Sequence, residues 1–183
     1  VDKIAGAMAE KGAGMAEVRE VAERTAGNVK SIGISLSSCF VPGSSEAMFS
    51  INEDEMEFGM GIHGETGVRR ISIQSADEIA RMMLDELVPK VFSHGSEEEV
   101  VVLVNGLGAT TLQELFVFNR AVRRISDTMG IPVYRTLVGN YMTSLDMSGL
   151  SLSLLRLDEE IKGLFDEPVR TIALNTAGNP GAK

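Results

Sequence analysis

The run Glu99-Val-Val-Val-Leu-Val104 constrains this chain more than any other stretch. It is continuously apolar and mostly β-branched, with no alternation. That pattern is expected of a strand buried on both faces, which requires a layer of structure on each side of its sheet. Asn105-Gly-Leu-Gly-Ala-Thr110 follows as a loop. Thr111-Leu-Gln-Glu114 then reads as a capping box, opening a helix with Leu112, Leu115, Phe116, Val122 and Ile125 inward. Gly130 stops the helix, and Ile131–Val138 reads as the next strand. A strand, a glycine loop and a helix N-terminus can together hold an anion. Gly106-Leu-Gly108 lacks the third glycine of a dinucleotide fingerprint, however, and no Gly-Lys-Ser/Thr follows. Tight-turn glycines are the preferred reading there.

The rest of the chain alternates in the same way. Residues 1–10 are helical in pattern, with Ile4 and Met8 four apart. Gly12-Ala13-Gly14 interrupts, and a helix resumes near Met15 with Val18, Val21, Ala22, Thr25 and Val29 on one stripe. Because the chain opens inside a helical pattern, an upstream segment is expected. Ser31-Ile-Gly-Ile-Ser-Leu-Ser reads as a half-buried strand. Pro42–Ser45 is a loop, Met48–Ile51 a short extended piece, and Asn52–Glu55 an acidic loop or strand start, read as a solvated turn in preference to a cation site because no EF-hand spacing follows. Ser75-Ala-Asp-Glu78 is a second capping box, with Ile79, Met82, Met83 and Leu87 inward and Pro89 kinking or ending its helix. His94 faces solvent near that end. Leu150–Leu157 alternates as a strand, and a short helix runs from Asp158 to Phe165. The expected fold is α/β, a mixed β-sheet with flanking helices. Residues 175–183 form a fraying tail.

Composition narrows the function. The 183 residues carry a net charge of -9 with no basic cluster, which argues against a nucleic-acid or anionic-membrane surface. No run of about 18 apolar residues offers a membrane span. Cys39 is the only cysteine, so there is no internal disulfide and no cysteine-based metal cluster. A buried, inert thiol in a reducing, cytoplasmic setting fits it.

The chemistry concentrates in Met56-Glu-Phe-Gly-Met-Gly-Ile-His63-Gly-Glu-Thr-Gly67. Read as a strand, it puts Met56, Phe58, Met60 and Ile62 on one face. Glu55, Glu57, Gly59, Gly61 and His63 fall on the other. Gly64–Gly67 turns the chain, and Val68–Ile73 returns as the second arm of a β-hairpin that carries His63. Gly61 and Gly64 beside the imidazole leave room for a ligand to approach. A near-neutral imidazole can act as nucleophile or proton carrier. The pattern by itself is equally that of a solvated histidine at a hairpin tip, which is the commoner case.

Four stretches together carry a resemblance: Lys30–Gly43, Glu53–Gly67, Leu103–Thr110 and Leu137–Gly149. In that order they resemble the carboxyl-terminal part of the K subunit, or K domain, of dihydroxyacetone (glycerone) kinase. The similarity covers the chain from its first helix to Leu174, so residues 1–174 are expected to form that lobe. The resemblance implies that His63 attaches substrate covalently, its ring nitrogen adding to a carbonyl carbon to form a hemiaminal. Gly61 and Gly64, which leave room beside His63, are then the expected substrate-lining residues. Such capture selects short ketoses and aldoses over polyols, whose carbons offer nothing to attack. The family motif often has proline where Thr66 stands. A Gly-Gly-Gly-Ser-Gly-His-Glu-Pro segment from the family's amino-terminal half, whose histidine assists proton transfer together with an aspartate, does not occur in these residues.

The resemblance therefore implies partners: an amino-terminal lobe and a separate L-type subunit or domain that binds ATP/ADP and magnesium. A half-domain would expose apolar helix and sheet surfaces, so a homo-oligomer or a complex with the missing lobe is expected. The phosphoryl donor, ATP or a phosphotransferase-system protein, stays open, as does the choice between dihydroxyacetone and a longer ketose such as erythrulose. No metal site and no cofactor is expected in this chain. Two other readings stand beside the kinase: a non-catalytic K-like sugar sensor or co-regulator, and an oligomerisation module.

Overall fold

The computed structural model describes residues 1–40, 43, 47, 49–61, 67–92 and 98–176. Two helices come first, α1 (Asp2–Glu10) and α2 (Met15–Asn28). The strands β1 (Val29–Ser35), β2 (Glu55–Phe58) and β3 (Arg69–Ser72) follow, then α3 (Ala76–Val91) and β4 (Val100–Gly106). The chain continues through α4 (Leu112–Met129), β5 (Val133–Gly139), β6 (Gly149–Arg156) and α5 (Glu159–Asp166). The six strands form one mixed sheet in the order β3-β2-β1-β6-β4-β5. Only β4 and β5 run parallel; the other neighbours are antiparallel.

Local chemistry sets the helix ends. Ser75 Oγ accepts from Glu78 N while the Glu78 carboxylate accepts from Ser75 N at 2.9 Å. Thr111 and Glu114 repeat the arrangement at α4. These hydrogen bonds to the Thr111 backbone and hydroxyl hold the Glu114 carboxyl below its ordinary range. Gly130 ends α4 in the left-handed region at φ 70. Pro89 does not end α3, which continues to the buried Val91. Its missing N–H removes one bond in the last turn, and Phe92 N still donates to Val88 O at 3.0 Å.

Period-two alternation divides the sheet into two faces. Ile32, Ile34, Val100, Val102, Val104, Leu150, Leu152 and Leu154 point to α3 and α4 and build the main core with Met83, Leu84, Leu87, Leu115 and Phe118. Each such aliphatic side chain contributes about 1.5–3 kcal/mol when fully buried. On the opposite face Val101 and Leu155 pack with Ile4, Val21, Leu157, Ile161 and Leu164 from the layer of α1, α2 and α5. That layer covers one end of the sheet only. The other end carries the polar half of the alternation.

Several expectations are corrected. Val29 begins β1, opposite Leu155, instead of extending the stripe of α2. In α4, Leu112 and Phe116 are more than half exposed, and Phe118 and Ala121 are buried instead. The strand expected from Met56 to His63 stops at Phe58, because Gly59 turns at φ 84. The connection between the arms therefore runs from Gly59 to Val68; the turn expected at Gly64–Gly67 lies within it, and all of that turn but Gly67 falls outside the described residues. The supposed polar face also breaks: Glu57 is buried alongside Met56 and Phe58.

Candidate functional site

The open end of the sheet is a cavity of about 640 Å³. Two cross-strand rows pave its floor. Ser31 of β1 stands opposite Ser153 of β6, which stands opposite Leu103 of β4. Gly33, Ser151 and Asn105 form the next row. Ser31 Oγ and Ser153 Oγ share a hydrogen bond at 2.6 Å. The wall is the segment Phe58–Gly61 together with Val68 and Arg69, that is, both ends of the connection that contains His63.

That connection is rooted by three glycines. Gly33 O accepts from Gly59 N at 2.8 Å and from Met60 N at 3.2 Å, and Gly33 has no room for a Cβ against Met60 O. A side chain at Gly59 would meet Val68 at 2.6 Å. One at Gly67 would meet Phe58 O and the Glu57 carboxylate at 2.8 Å. Phe58 O in turn accepts from Val68 N at 2.8 Å. Close backbone approach, more than turn flexibility, is what these glycines supply.

The four stretches that carry the family resemblance converge beside this wall. Cys39, Met60, Leu107 and Met147, one from each, form a small separate core. The stretch Gly139–Gly149 has a definite task here. Asn105 holds its start: Oδ1 accepts from Tyr141 N and Met142 N at 2.8 and 2.9 Å, and Nδ2 donates to Met142 O at 2.7 Å. Thr110 Oγ1 holds its end through Gly149 N and O. Leu107 N and Ala109 N donate to Gly149 O and Met147 O. These backbone donors of the glycine loop thus serve packing, in line with tight-turn glycines rather than an anion cradle.

Of the three site residues expected from sequence, Gly61 is half-buried and lines the cavity. His63 and Gly64 lie outside the described residues, as does His94. Cys39 is buried, as expected. Sequence reasoning missed the floor residues Ser31, Ser151, Ser153 and Asn105. The signal was present in the alternation of Ser31-Ile-Gly-Ile and Leu150-Ser-Leu-Ser, which marks one polar face on each strand.

Comparison with known proteins gives the class. Residues 1–173 match the Dak1 domain, and the chain belongs to that family. It is 41% identical over 171 residues to the dihydroxyacetone-binding subunit DhaK of PTS-dependent dihydroxyacetone kinase 2 from Listeria innocua, covering 93% of this chain and 51% of that protein. Among solved structures it is similar to the dihydroxyacetone kinase operon co-activator Dha-DhaQ. That match has a TM-score of 0.84 at 34% identity and covers 91% of this chain and 51% of the other. The dihydroxyacetone kinase of C. freundii matches with a TM-score of 0.74 at 32% identity, over 88% of this chain and 29% of that one. The chain spans about half the length of the DhaK subunit it matches.

Proposed function

We propose that residues 1–174 are the carboxyl-terminal, substrate-capturing lobe of a cytoplasmic dihydroxyacetone kinase, and that His63 is the capturing residue. The imidazole N–H adds across the carbonyl of a short ketose or aldose. A nitrogen–carbon bond forms, the carbonyl π electrons pass to oxygen, and that oxygen takes up a proton, so nothing leaves. The tethered sugar then presents its terminal hydroxyl for phosphorylation. Holding the acceptor in this way converts binding into rate. An amino-terminal lobe and an L-type subunit or domain carrying ATP and magnesium complete the reaction. Gly61 and Gly64 line the captured sugar.

One observation carries the reading: both ends of the Gly59–Val68 connection are rooted by close glycine packing at the rim of a polar-floored cavity. The co-activator likeness favours a second reading, a sugar-sensing co-regulator that keeps the same capture site. Exposed Leu112, Phe116, Val117, Met142 and Leu145 support a partner lobe or a homo-oligomer in either case.

Calorimetric titration with dihydroxyacetone, on the full-length protein and its His63→Ala variant, tests the proposal. Heat from the parent, none from the variant, and a substrate-sized mass adduct on the parent only are expected. Unchanged affinity in the variant would refute covalent capture. Phosphorylation of dihydroxyacetone by the complete assembly separates kinase from sensor.

A further inference from the structure

Glu57 is the one buried charged side chain among the described residues. Removing a carboxylate from water is costly unless an opposite charge and hydrogen bonds compensate. Compensation comes from directly across the β2–β3 ribbon, where Arg70 is the register partner of Glu57. Its Nε and Nη2 donate to Glu57 Oε1 at 2.8 and 2.6 Å. The other oxygen, Oε2, packs against Gly67. Val68 N is bonded to Phe58 O, and the Arg69 guanidinium lies 4.8 Å from the centre of the Phe58 ring. Four consecutive residues of the returning arm, Gly67 to Arg70, are thus each held by Glu57 or Phe58.

Buried ion pairs are poor devices for stability, since a well-packed apolar pair often does as well. They are effective at fixing register, because a one-residue slip strands the charge. Here a slip toward Ile71 would strand Glu57, and one toward Arg69 would take that guanidinium from the Phe58 ring and leave Arg70 without its carboxylate, in each case lengthening one leg of the connection and shortening the other. We infer that Glu57 and Arg70 are a positioning pair: they set the register of the ribbon and so the geometry from which the His63 connection departs. The inference rests on the proposed capture by His63.

Full-length protein, assayed with its phosphoryl donor, provides the test. The variants are Glu57→Leu/Arg70→Leu, Arg70→Lys, Glu57→Gln and His63→Ala. The double variant is expected to fold and to bind dihydroxyacetone about tenfold or more weakly, because small misplacements of a reacting group are expensive. KM for dihydroxyacetone rises with that loss while KM for the donor stays put. Arg70→Lys, which keeps the charge but not the two-pronged donation, shows a smaller loss in the same direction. Glu57→Gln, which keeps an acceptor for Arg70, recovers most of the affinity. A purely structural pair would lower the melting midpoint and the active fraction, leaving both KM values unchanged. Parent-like affinity in the double variant or, should that fail to fold, in Arg70→Lys overturns the inference if His63→Ala abolishes binding. Unchanged binding in His63→Ala instead overturns the capture reading and this inference with it.

Discussion

Asn105 uses every hydrogen-bonding position of its carboxamide. Two backbone N–H groups donate to its oxygen, and its nitrogen donates to Met142 O and to Ser151 Oγ. The residue is 2% exposed, so its carboxamide relies on these partners rather than on water. Asn105→Ala orphans two amides and a carbonyl at the cavity rim. At about 1–3 kcal/mol per unsatisfied buried group, a loss of about 3 kcal/mol or more is expected in urea denaturation. Asn105→Asp keeps both acceptor contacts but buries a charge with no cation among its described partners and sets a carboxylate oxygen against Met142 O, so its loss at neutral pH is at least as large. From the sequence, Asn105 is only the first residue of a loop. Its role becomes visible when residues 140–142, distant in sequence, are seen to fold back on it.

Helix α4 shows which parts of the fold can be read from local sequence. Its start at Thr111 and its stop at Gly130 are written in adjacent residues, and both are realised. Its rotation is not. Leu112 and Phe116 belong to one four-residue stripe, Leu115, Phe118, Val122 and Ile125 to another, and only the neighbours β4, β5 and α3 select between them. Phe118→Ala should cost about 3–5 kcal/mol. Phe116→Ala should stay within about 0.5 kcal/mol in the same denaturation assay. The opposite ranking would mean a helix turned by roughly a quarter turn or more. The same division holds at the site. Serine alternation marks β1 and β6 as half-buried strands, but their side-by-side pairing in one polar floor depends on a partner chosen from far along the chain. The shortened β2 arises likewise from the approach of Gly59 and Met60 to Gly33, a contact that no local window contains.

Across the whole molecule, β6 lies between β1 and β4, and it is the strand that joins two otherwise separate halves of the sheet. Its ladders with β1 and β4 run nearly its full length, whereas β1 meets β2 in only two residue pairs. Native-state hydrogen exchange should therefore find the slowest amides in β4 and β6 and the fastest strand amides in β3. Slower exchange in β3 than in β6 would contradict this sheet order. No helix among the described residues is long and apolar enough to cross a membrane. The position of β6 also bears on how the protein is made. Ser35 pairs with Gly149 and Val29 with Leu155, so β1 meets its principal neighbour only after the intervening residues 36–148 have been translated. At common elongation speeds that interval is on the order of ten seconds. For that time the nascent β1 has an open edge, and a ribosome paused before residue 149 displays the segment a holdase chaperone would protect.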